Sequence, residues 1–271
     1  MKGSSRMQAD RKGDSRIAVV IITKNEEQNI GACLESVQWA DEKIVIDAES
    51  RDRTVELARA CGAKVSVRPW PGFGLQKNFG MEQASSDWIL ILDADERVTD
   101  ELRREISDCL NGWTTGAPVA YRIPRRNFFY GAWVRGGGVY PDYQVRLFRR
   151  GMARYNDVAV HENLLVDGEI GTLAGHLDHY TERSIHDHFR KFGLYTTLAA
   201  QEKSKSVQEV RAADLLVRPL VVFFKTYLAK EGYRDGVRGL IVCTFASMYT
   251  FVKYAKLWVM TRSAVFQTDM R

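Results

Sequence analysis

Short apolar runs alternate with helical patterns over the first part of the chain. Aliphatic and β-branched runs at residues 17–22, 43–47 and 88–92 predict buried strands. Between them, apolar residues recur at helical spacing, first over residues 25–37 and later in the segment that Thr99 caps. Strands that alternate with helices in this way predict a Rossmann-like α/β fold, in which a mostly parallel sheet is flanked by helices.

The pattern divides the chain into four parts. Residues 1–15 are polar and charged, and they predict a disordered leader. Residues 16–117 carry the alternating strands and helices, and residues 118–183 are rich in Arg, Gly and aromatic residues with a few short strands. Residues 184–271 follow a helical pattern. We therefore expect an α/β half, a second half of mixed strands, and a helical C-terminal region.

The composition is that of a globular protein. Of the 271 residues, 45% are hydrophobic and 27% are charged, which excludes an intrinsically disordered chain. The formal net charge of +5 is mildly basic, so an anionic partner must be met by a local patch. The four cysteines lie far apart, which argues against a disulfide framework or a cysteine-rich zinc site and indicates a reducing cytosol.

Acidic and polar residues follow the ends of several predicted strands. Asp93 and Asp95 end a wholly apolar strand, Asp47 ends another, and Asn25-Glu26 follows the first. Ligands of open α/β sheets bind outside the carboxyl ends of the strands, and paired carboxylates suit Mg²⁺ or Mn²⁺. The pattern predicts a nucleotide or metal site at this edge, and the alternative is a solvated acidic turn that caps the next helix.

No glycine-rich phosphate loop of the dinucleotide or P-loop type is present in the sequence. A phosphate group must then be held by a metal ion and by basic residues. Lys77 and Asn78 are candidates because they follow the loop Gly72-Phe73-Gly74 and precede the strand that ends at Asp93. The alternative for both residues is an exposed helix start.

Asp142 is the acidic residue of an Arg-rich segment and follows three consecutive glycines at 136–138. The glycines permit close approach of a ligand, and an acid that faces a cleft can act as a general base. The alternative is that Asp142 only neutralises Arg146. Further along, His161 can complete a metal site, because imidazole suits Mn²⁺, or can be an ordinary hydrogen-bonded histidine. The other four histidines are interpreted as surface or packing residues: His176, His179, His186 and His188.

The last two apolar segments, residues 215–230 and 237–260, are interrupted by basic residues and contain several aromatic ones. This mixture predicts helices that lie in the headgroup region of a membrane, with the aromatic residues at that depth: Tyr249, Phe251, Tyr254 and Trp258. The uncharged stretches are shorter than the roughly 20 apolar residues that span a bilayer. The alternatives are core helices or the interface of a homo-oligomer.

Taken together, these motifs resemble the inverting glycosyltransferases of family 2, which have the GT-A fold, and among them bacterial lipopolysaccharide inner-core β-glucosyltransferases. The resemblance extends from about Ile17 to His161 and fades toward the C-terminus. Its motifs are, in chain order, residues 19–26, 44–54, 71–78, 92–96, 140–150 and 160–162. The first and the Asp-x-Asp motif are general to the superfamily. The set formed by Gln76-Lys77-Asn78, Asp93-Ala94-Asp95-Glu96 and the segment from Pro141 to Arg149 is far more specific to the inner-core group.

The resemblance implies a role for each matching residue. Thr23, Glu26 and Asp47 would bind the uracil and ribose of the donor, Asp93 would contact the ribose, and Lys77 would lie near the diphosphate. Asn25, Asn78 and Arg146 are further candidate donor-binding residues. Asp95 would bind the metal ion, and Asp142 would be the catalytic base, with Glu162 as the alternative base. One departure stands out. The acidic pair that the family has before the Arg-Leu is Pro141-Asp142 here, so that role rests on Asp142 alone.

The resemblance also implies a reaction and a location. The enzyme would transfer a hexose, expected to be glucose, from a UDP-sugar to a lipopolysaccharide-core or related glycolipid acceptor. It would use a divalent cation, Mn²⁺ or Mg²⁺. The enzyme would work at the cytoplasmic surface of the inner membrane. One alternative is a sugar-phosphate nucleotidyltransferase, which normally has the missing glycine-rich loop. Another is a non-catalytic binder of anionic lipid or polyanion; nucleic acid is disfavoured by the acidic cleft and the net charge of +5.

Overall fold

A computed structural model describes residues 15–156, 163–182, 184–207 and 209–268. The chain divides into two compact units. The first contains the residues up to Arg125 together with Asp142–His179, and the second contains Arg126–Pro141 together with the residues from Tyr180 onward. The division places residues 126–141, part of the predicted half of mixed strands, with the C-terminal helices.

The first unit is built on a sheet whose central strands are parallel. Strands β1 and β4 are wholly or almost wholly buried, as their unbroken apolar runs predicted. The order of the parallel strands is β3-β2-β1-β4, with bounds Ile17–Thr23 for β1, Glu42–Asp47 for β2, Lys64–Val67 for β3 and Trp88–Asp93 for β4. The predicted α/β architecture is confirmed.

Beyond β4 the sheet continues with strands that run in both directions. The order after β4 is β8-β6-β12-β5, and β11 pairs in parallel with β6. The bounds are Glu96–Val98 for β5, Ala120–Phe129 for β6, Asp142–Arg149 for β8, Ile170–Thr172 for β11 and Leu177–Glu182 for β12. A separate antiparallel pair is formed by β9 (Ala153–Tyr155) and β10 (Leu164–Val166).

Four helices pack on this sheet: α1 (Ile30–Ser36), α2 (Thr54–Ala60), α3 (Phe73–Glu82) and α4 (Asp100–Asn111). Thr99 caps α4 as predicted, since its hydroxyl accepts a hydrogen bond from the backbone N–H of Leu102. Helix α3 lies close on the sheet because of Gly80. A Cβ at that position would come within 2.4 Å of Val20 Cγ1.

The second unit is mainly helical. It contains the short strand β7 (Ala132–Trp133), then α5 (Ile185–Ser204), α6 (Ala212–Phe224), a π-helical segment (Lys225–Ala229), a 3₁₀ turn (Gly232–Asp235) and α7 (Gly236–Thr268). Its core joins α5 to α7 around Ala200, Tyr254 and Leu257. Within the described part of the chain, no helix combines the length and apolar character needed to cross a membrane.

The three glycines at 136–138 pack against the chain's own turn. The Gly137 N–H donates to the Lys230 carbonyl at 2.8 Å, and the Gly136 N–H donates to Asp235 Oδ2 at 2.7 Å. A side chain at Gly136 would collide with the backbone of Glu231. The close approach predicted for a ligand at these glycines is therefore made by the turn at residues 230–235 instead.

Candidate active site

Arg146 joins two acidic residues at the carboxyl end of β4. Its Nη2 lies 2.6 Å from Asp93 Oδ2 and 2.7 Å from Glu96 Oε1. Lys77 Nζ approaches the other oxygen of Asp93, Oδ1, at 3.7 Å. The side chains of Arg146 and Lys77 are each only 5% exposed and that of Glu96 is wholly buried, whereas Asp93 keeps 30% of its side chain accessible. The exposed carboxylate of Asp93 is thus fixed by a buried charged network.

The charges of this network reinforce one another. Burial opposes ionisation of Asp93, but Arg146 and Lys77 outweigh it and hold the pKa of the Asp93 carboxyl well below its ordinary value. Burial likewise opposes the charge of Arg146, and Asp93 and Glu96 raise its pKa well above the ordinary value. Both groups are therefore charged at any physiological pH.

A second arginine connects Glu96 to Asp142. Arg125 Nη1 lies 3.0 Å from Glu96 Oε1, while its Nε and Nη2 donate to Asp142 Oδ2 at 2.9 and 2.5 Å. Gln144 Nε2 donates to Asp142 Oδ1 at 2.9 Å. In the ladder between β6 and β8, Arg125 stands directly opposite Asp142. The alternative in which Asp142 neutralises Arg146 is therefore wrong, because the partner of Asp142 is Arg125.

Part of this network lines a polar cavity of about 440 Å³ within the first unit. Its lining includes three cationic side chains, those of Lys77, Arg125 and Arg146, together with Asp93 and Tyr155. The volume is in the range of ligand sites, roughly 300–1,000 Å³. Arg146 Nε is buried and has no hydrogen-bond partner within the described residues. The cavity therefore holds cationic groups, and a buried donor beside them, that suit an anionic ligand.

Asp95 points to a different partner, His179. Asp95 Oδ2 lies 3.5 Å from His179 Nε2, and both side chains are largely buried. Burial disfavours the imidazolium, but the hydrogen bond and charge of Asp95 outweigh it and raise the pKa of His179 above its ordinary value. The sequence pattern indicated only a surface or packing role for His179, and the structure adds a carboxylate partner, Asp95. His179 lies on β12, which pairs with β5 just beyond Asp95.

Asp95 and His179 are suitable metal ligands as a pair. A carboxylate oxygen and an imidazole nitrogen both suit Mn²⁺, and Mg²⁺ commonly takes only one or two carboxylates from the protein and the rest from phosphate and water. In the described part of the chain, no three His, Cys, Asp or Glu residues are grouped as a metal site. Two other predicted residues, His161 and Glu162, lie outside the described residues.

The loops after β1 and β2 are bound to each other. The Asn25 N–H donates to Ser50 Oγ at 2.7 Å, and Asn25 Oδ1 accepts from the Arg51 N–H at 2.8 Å. Asp47 is completely buried, and both of its carboxylate oxygens bind Ser50. Glu26 donates its N–H to Thr54 Oγ1 at 2.8 Å. Because residues 25–29 form this loop, α1 begins at Ile30, later than the helical pattern predicted.

The side-chain amide of Asn78 makes two hydrogen bonds to the backbone of Tyr155. Asn78 Nδ2 donates to the Tyr155 carbonyl and Asn78 Oδ1 accepts from the Tyr155 N–H, both at 2.9 Å. These hydrogen bonds hold β9 against α3. The centre of the Tyr155 ring lies 5.1 Å from Lys77 Nζ. Asn78 is therefore not an exposed helix start, and its side chain positions one wall of the cavity.

Two other buried polar side chains lack hydrogen-bond partners within the described residues. Thr23 Oγ1, at the end of β1, has none, and neither amide atom of Gln76 has one, although Gln76 is completely buried. Buried amides are almost always paired, so an unpaired one needs an explanation. Gln76 directly precedes Lys77 in the motif Gln76-Lys77-Asn78. This motif was the only feature of the sequence that indicated a role for Gln76.

The remaining residues that sequence reasoning missed are Glu96, Arg125 and His179. Glu96 was visible only as the last residue of the Asp-Ala-Asp-Glu motif. Its carboxylate is the centre of the network, since it accepts from Arg146, Arg125 and the Asp93 N–H.

Comparison with known proteins places this geometry in a family. The model of the family described as "Glycosyl transferase family 2" matches residues 18–154, about half of the chain. The chain is 29% identical over 249 residues to the lipopolysaccharide core biosynthesis glycosyltransferase LpsC of Rhizobium meliloti, covering 89% of this chain and 92% of LpsC. It is also 29% identical over 252 residues to an uncharacterized glycosyltransferase of Rickettsia typhi, covering 89% and 86% of the two chains.

Among solved structures, the chain is similar to the S. aureus TarS fragment 1–349 in complex with UDP. The TM-score is 0.47 at 13% identity, and 92% of each chain is covered.

The family match covers most of the α/β unit, including the predicted site residues Thr23, Asp47, Asp93, Asp95 and Asp142. It excludes the two alternative activities, a nucleotidyltransferase and a non-catalytic binder, as the function of that unit. The fold class expected from the sequence, GT-A with a helical C-terminal region, is confirmed. The chain therefore belongs to glycosyl transferase family 2 and is a glycosyltransferase.

Proposed function

We propose that this glycosyltransferase moves a hexose from a UDP-sugar to a hydroxyl group of a lipopolysaccharide-core or related glycolipid, with inversion at the anomeric carbon. The observation that carries the donor assignment is the cavity lined by Lys77, Arg125 and Arg146 beside Asp93. Three cations in one polar cavity suit a diphosphate, and the unpaired Nε of Arg146 supplies a further donor. The similarity to LpsC over 92% of that protein supports the acceptor class.

Each predicted residue takes a place in this proposal. Thr23 at the end of β1, Glu26 in the loop that follows, and Asp93 bind the nucleoside. Lys77 and Arg146 bind the diphosphate. Asn25, Asp47 and Asn78 act through the loops and strands that their side chains hold, since each is hydrogen-bonded to the chain itself.

Asp95 and His179 would hold the divalent cation, which when bound stabilises the negative charge of the leaving diphosphate as a Lewis acid. The remaining steps depend on side chains of the protein. The cationic side chains of the cavity orient the diphosphate and stabilise charge as it develops there. Asp142 is the base that takes the proton of the acceptor hydroxyl, on the opposite side of the anomeric carbon from the leaving UDP, and Glu162 remains its rival.

The acceptor places the enzyme at a membrane surface, so we propose peripheral association with the cytoplasmic face of the inner membrane. Supporting this, the second unit exposes large apolar side chains next to basic ones on its helices.

A UDP-release assay tests the reaction. Purified protein is incubated with a panel of UDP-sugars and a detergent-dispersed core glycolipid, in Mn²⁺, Mg²⁺ or EDTA. We expect acceptor-dependent release of UDP with one hexose donor, with UDP-glucose as the first to test, and its loss in EDTA. Release that no glycolipid stimulates, with any donor, would contradict the proposal.

A further inference from the structure

One face of helix α6 is an exposed apolar ridge. Another face packs on α7, where Ser247 Oγ donates to the Pro219 carbonyl at 2.8 Å and Pro219 is buried. The ridge side chains recur at helical spacing, and each is more than half exposed: Leu216, Val217, Leu220, Val221, Phe224 and, in the π-helical segment, Leu228. Contiguous apolar surface of this kind marks a protein or membrane interaction site.

A lysine, Lys225, lies among the apolar side chains of the ridge. Lys225 lies between Phe224 and Leu228 in sequence and lines the same shallow depression, of about 730 Å³, as those two side chains. It is exposed and has no carboxylate partner within the described residues. A lysine can lay its aliphatic stem along apolar groups while its ammonium reaches the polar boundary. This arrangement fits a headgroup layer above an apolar one.

The segment that contains the ridge has an excess of basic residues. Residues 211–238 contain six basic and three acidic residues. Each acid is already engaged: Asp214 with Arg218 at 2.5 Å, Glu231 with Arg234 at 2.9 Å, and Asp235 with the backbone N–H of Gly136 at 2.7 Å. Lys225, which lines the same depression as the ridge side chains, therefore remains available to an anionic surface.

The alternative occupant is a second copy of this chain. The cores of protein–protein interfaces are depleted of lysine, because its ammonium must be desolvated there. Lys225 would lie inside such an interface without a carboxylate from its own chain. A bilayer with anionic lipid instead accepts both the aliphatic side chains and the ammonium groups.

We propose that the α6 ridge inserts into the boundary between headgroups and acyl chains of an anionic bilayer, with Lys225 on the lipid phosphates. This inference deepens the proposed function and rests on its membrane-bound acceptor. It also changes which residues meet the lipid. The sequence pattern predicted Tyr254 at headgroup depth, whereas Tyr254 is buried in the helical core.

The test is co-sedimentation of the full chain with vesicles of phosphatidylcholine and phosphatidylglycerol, and with vesicles of phosphatidylcholine alone. We expect binding to the anionic vesicles that weakens as salt rises, since surface charge is screened. Leu220→Gln with Phe224→Gln should weaken partitioning by at least about tenfold, because two large apolar side chains no longer favour insertion. Lys225→Gln should weaken it roughly fivefold on anionic vesicles only.

The control is Leu165→Gln with Ile170→Gln, which replaces two exposed apolar residues of the α/β unit and should leave vesicle binding unchanged. Equal loss in the control would overturn the assignment to α6. So would a wild-type dimer in sedimentation velocity that only the α6 variant converts to a monomer, with no vesicle binding.

Binding of UDP in the presence of Mn²⁺ separates this inference from the proposed function. The α6 variants should keep it. Vesicle binding without UDP binding in the wild type would contradict the transfer reaction alone, and UDP binding without vesicle binding would contradict the ridge alone.

Discussion

Nη2 of Arg146 lies 2.6 Å from Oδ2 of Asp93, and the same nitrogen lies 2.7 Å from Oε1 of Glu96. One buried guanidinium therefore fixes both the exposed carboxylate at the end of β4 and the buried one behind it. The candidate donor site and the stability of the fold depend on the same contact.

Arg146→Met should destabilise the fold strongly. The substitution keeps much of the side-chain volume but leaves the wholly buried Glu96 with one fewer cation, and breaking a buried ion pair costs about 3–5 kcal/mol. Denaturant unfolding measures the change. Adding Glu96→Gln to Arg146→Met should recover part of the loss, because it removes the uncompensated charge. Arg122→Gln, at an exposed arginine of β6, is the control and should change the free energy of unfolding by less than about 1 kcal/mol.

Asp95→Ala should abolish the metal-dependent part of UDP binding. A ligand at 100 times its Kd stabilises the folded state by about 2.7 kcal/mol, which is a readily measured shift in melting temperature. We expect Mn²⁺ to increase the UDP-dependent shift in the wild type and to have no effect in the variant. Asp100→Asn, an exposed aspartate in the first turn of α4, should behave as the wild type. An unchanged metal effect in Asp95→Ala would move the metal site elsewhere.

The pairing of His179 with Asp95 predicts a pH-dependent stability in protein freed of metal by EDTA. The folded-state pKa of His179 is raised above its ordinary value of 6.5, so the folded state binds a proton more tightly than the unfolded chain. The extra stability is fully present below pH 6.5 and is lost as the pH rises through the higher folded-state pKa. Melting temperatures across this range should show that loss in the wild type and not in His179→Gln. A parallel pH dependence in both proteins would show that the pair contributes nothing.

Gln76→Met should stabilise the unliganded protein. Both amide atoms of Gln76 are buried without a partner, and an unpaired buried polar group costs about 1–3 kcal/mol relative to an apolar one of similar shape. Denaturant unfolding without nucleotide measures the gain. Gln83→Met, at the residue that follows α3, is the control and should destabilise, because Gln83 Oε1 accepts from Ser66 Oγ at 2.9 Å.

The transfer rate then shows why glutamine occupies position 76. Natural proteins keep unfavourable polar groups mainly where function uses them. We therefore expect Gln76→Met to transfer sugar more slowly despite its greater stability. A variant that is both more stable and fully active would show that Gln76 has no part in the reaction.

The sequence predicted what local pattern encodes. The buried parallel strands, the cap at Thr99 and the strand-end position of Asp93 all follow from short runs of residues, and the structure has each of them. Its place before the strand of Asp93 pointed to Lys77, and motif resemblance added Arg146; the structure brings both to Asp93, from α3 and β8.

What the sequence could not predict depends on long-range pairing. Arg125 meets Asp142 because the antiparallel ladder of β6 and β8 puts them in register, and that register is set by strands separated by a dozen residues. Arg146 lies four residues from Asp142 along β8, a distance of about 13 Å on an extended strand, too far for the ion pair that proximity in sequence suggested. His179 reaches Asp95 from β12, which no local pattern connects to the Asp-x-Asp motif.

The last prediction concerns the base. Asp142 keeps 27% of its side chain exposed, and its two oxygens are held by Arg125 and Gln144, so the carboxylate is oriented before the acceptor arrives. Asp142→Asn keeps the shape but removes the proton acceptor, and loss of a positioned base lowers the rate about 10²–10⁴-fold. We expect that loss in kcat with the Kd of UDP-sugar nearly unchanged, because the base acts on the acceptor hydroxyl. Gln144→Ala, which frees one oxygen of Asp142 but leaves the carboxylate in place, should have a much smaller effect. Near-normal transfer by Asp142→Asn together with an inactive Glu162→Gln would instead assign the base to Glu162.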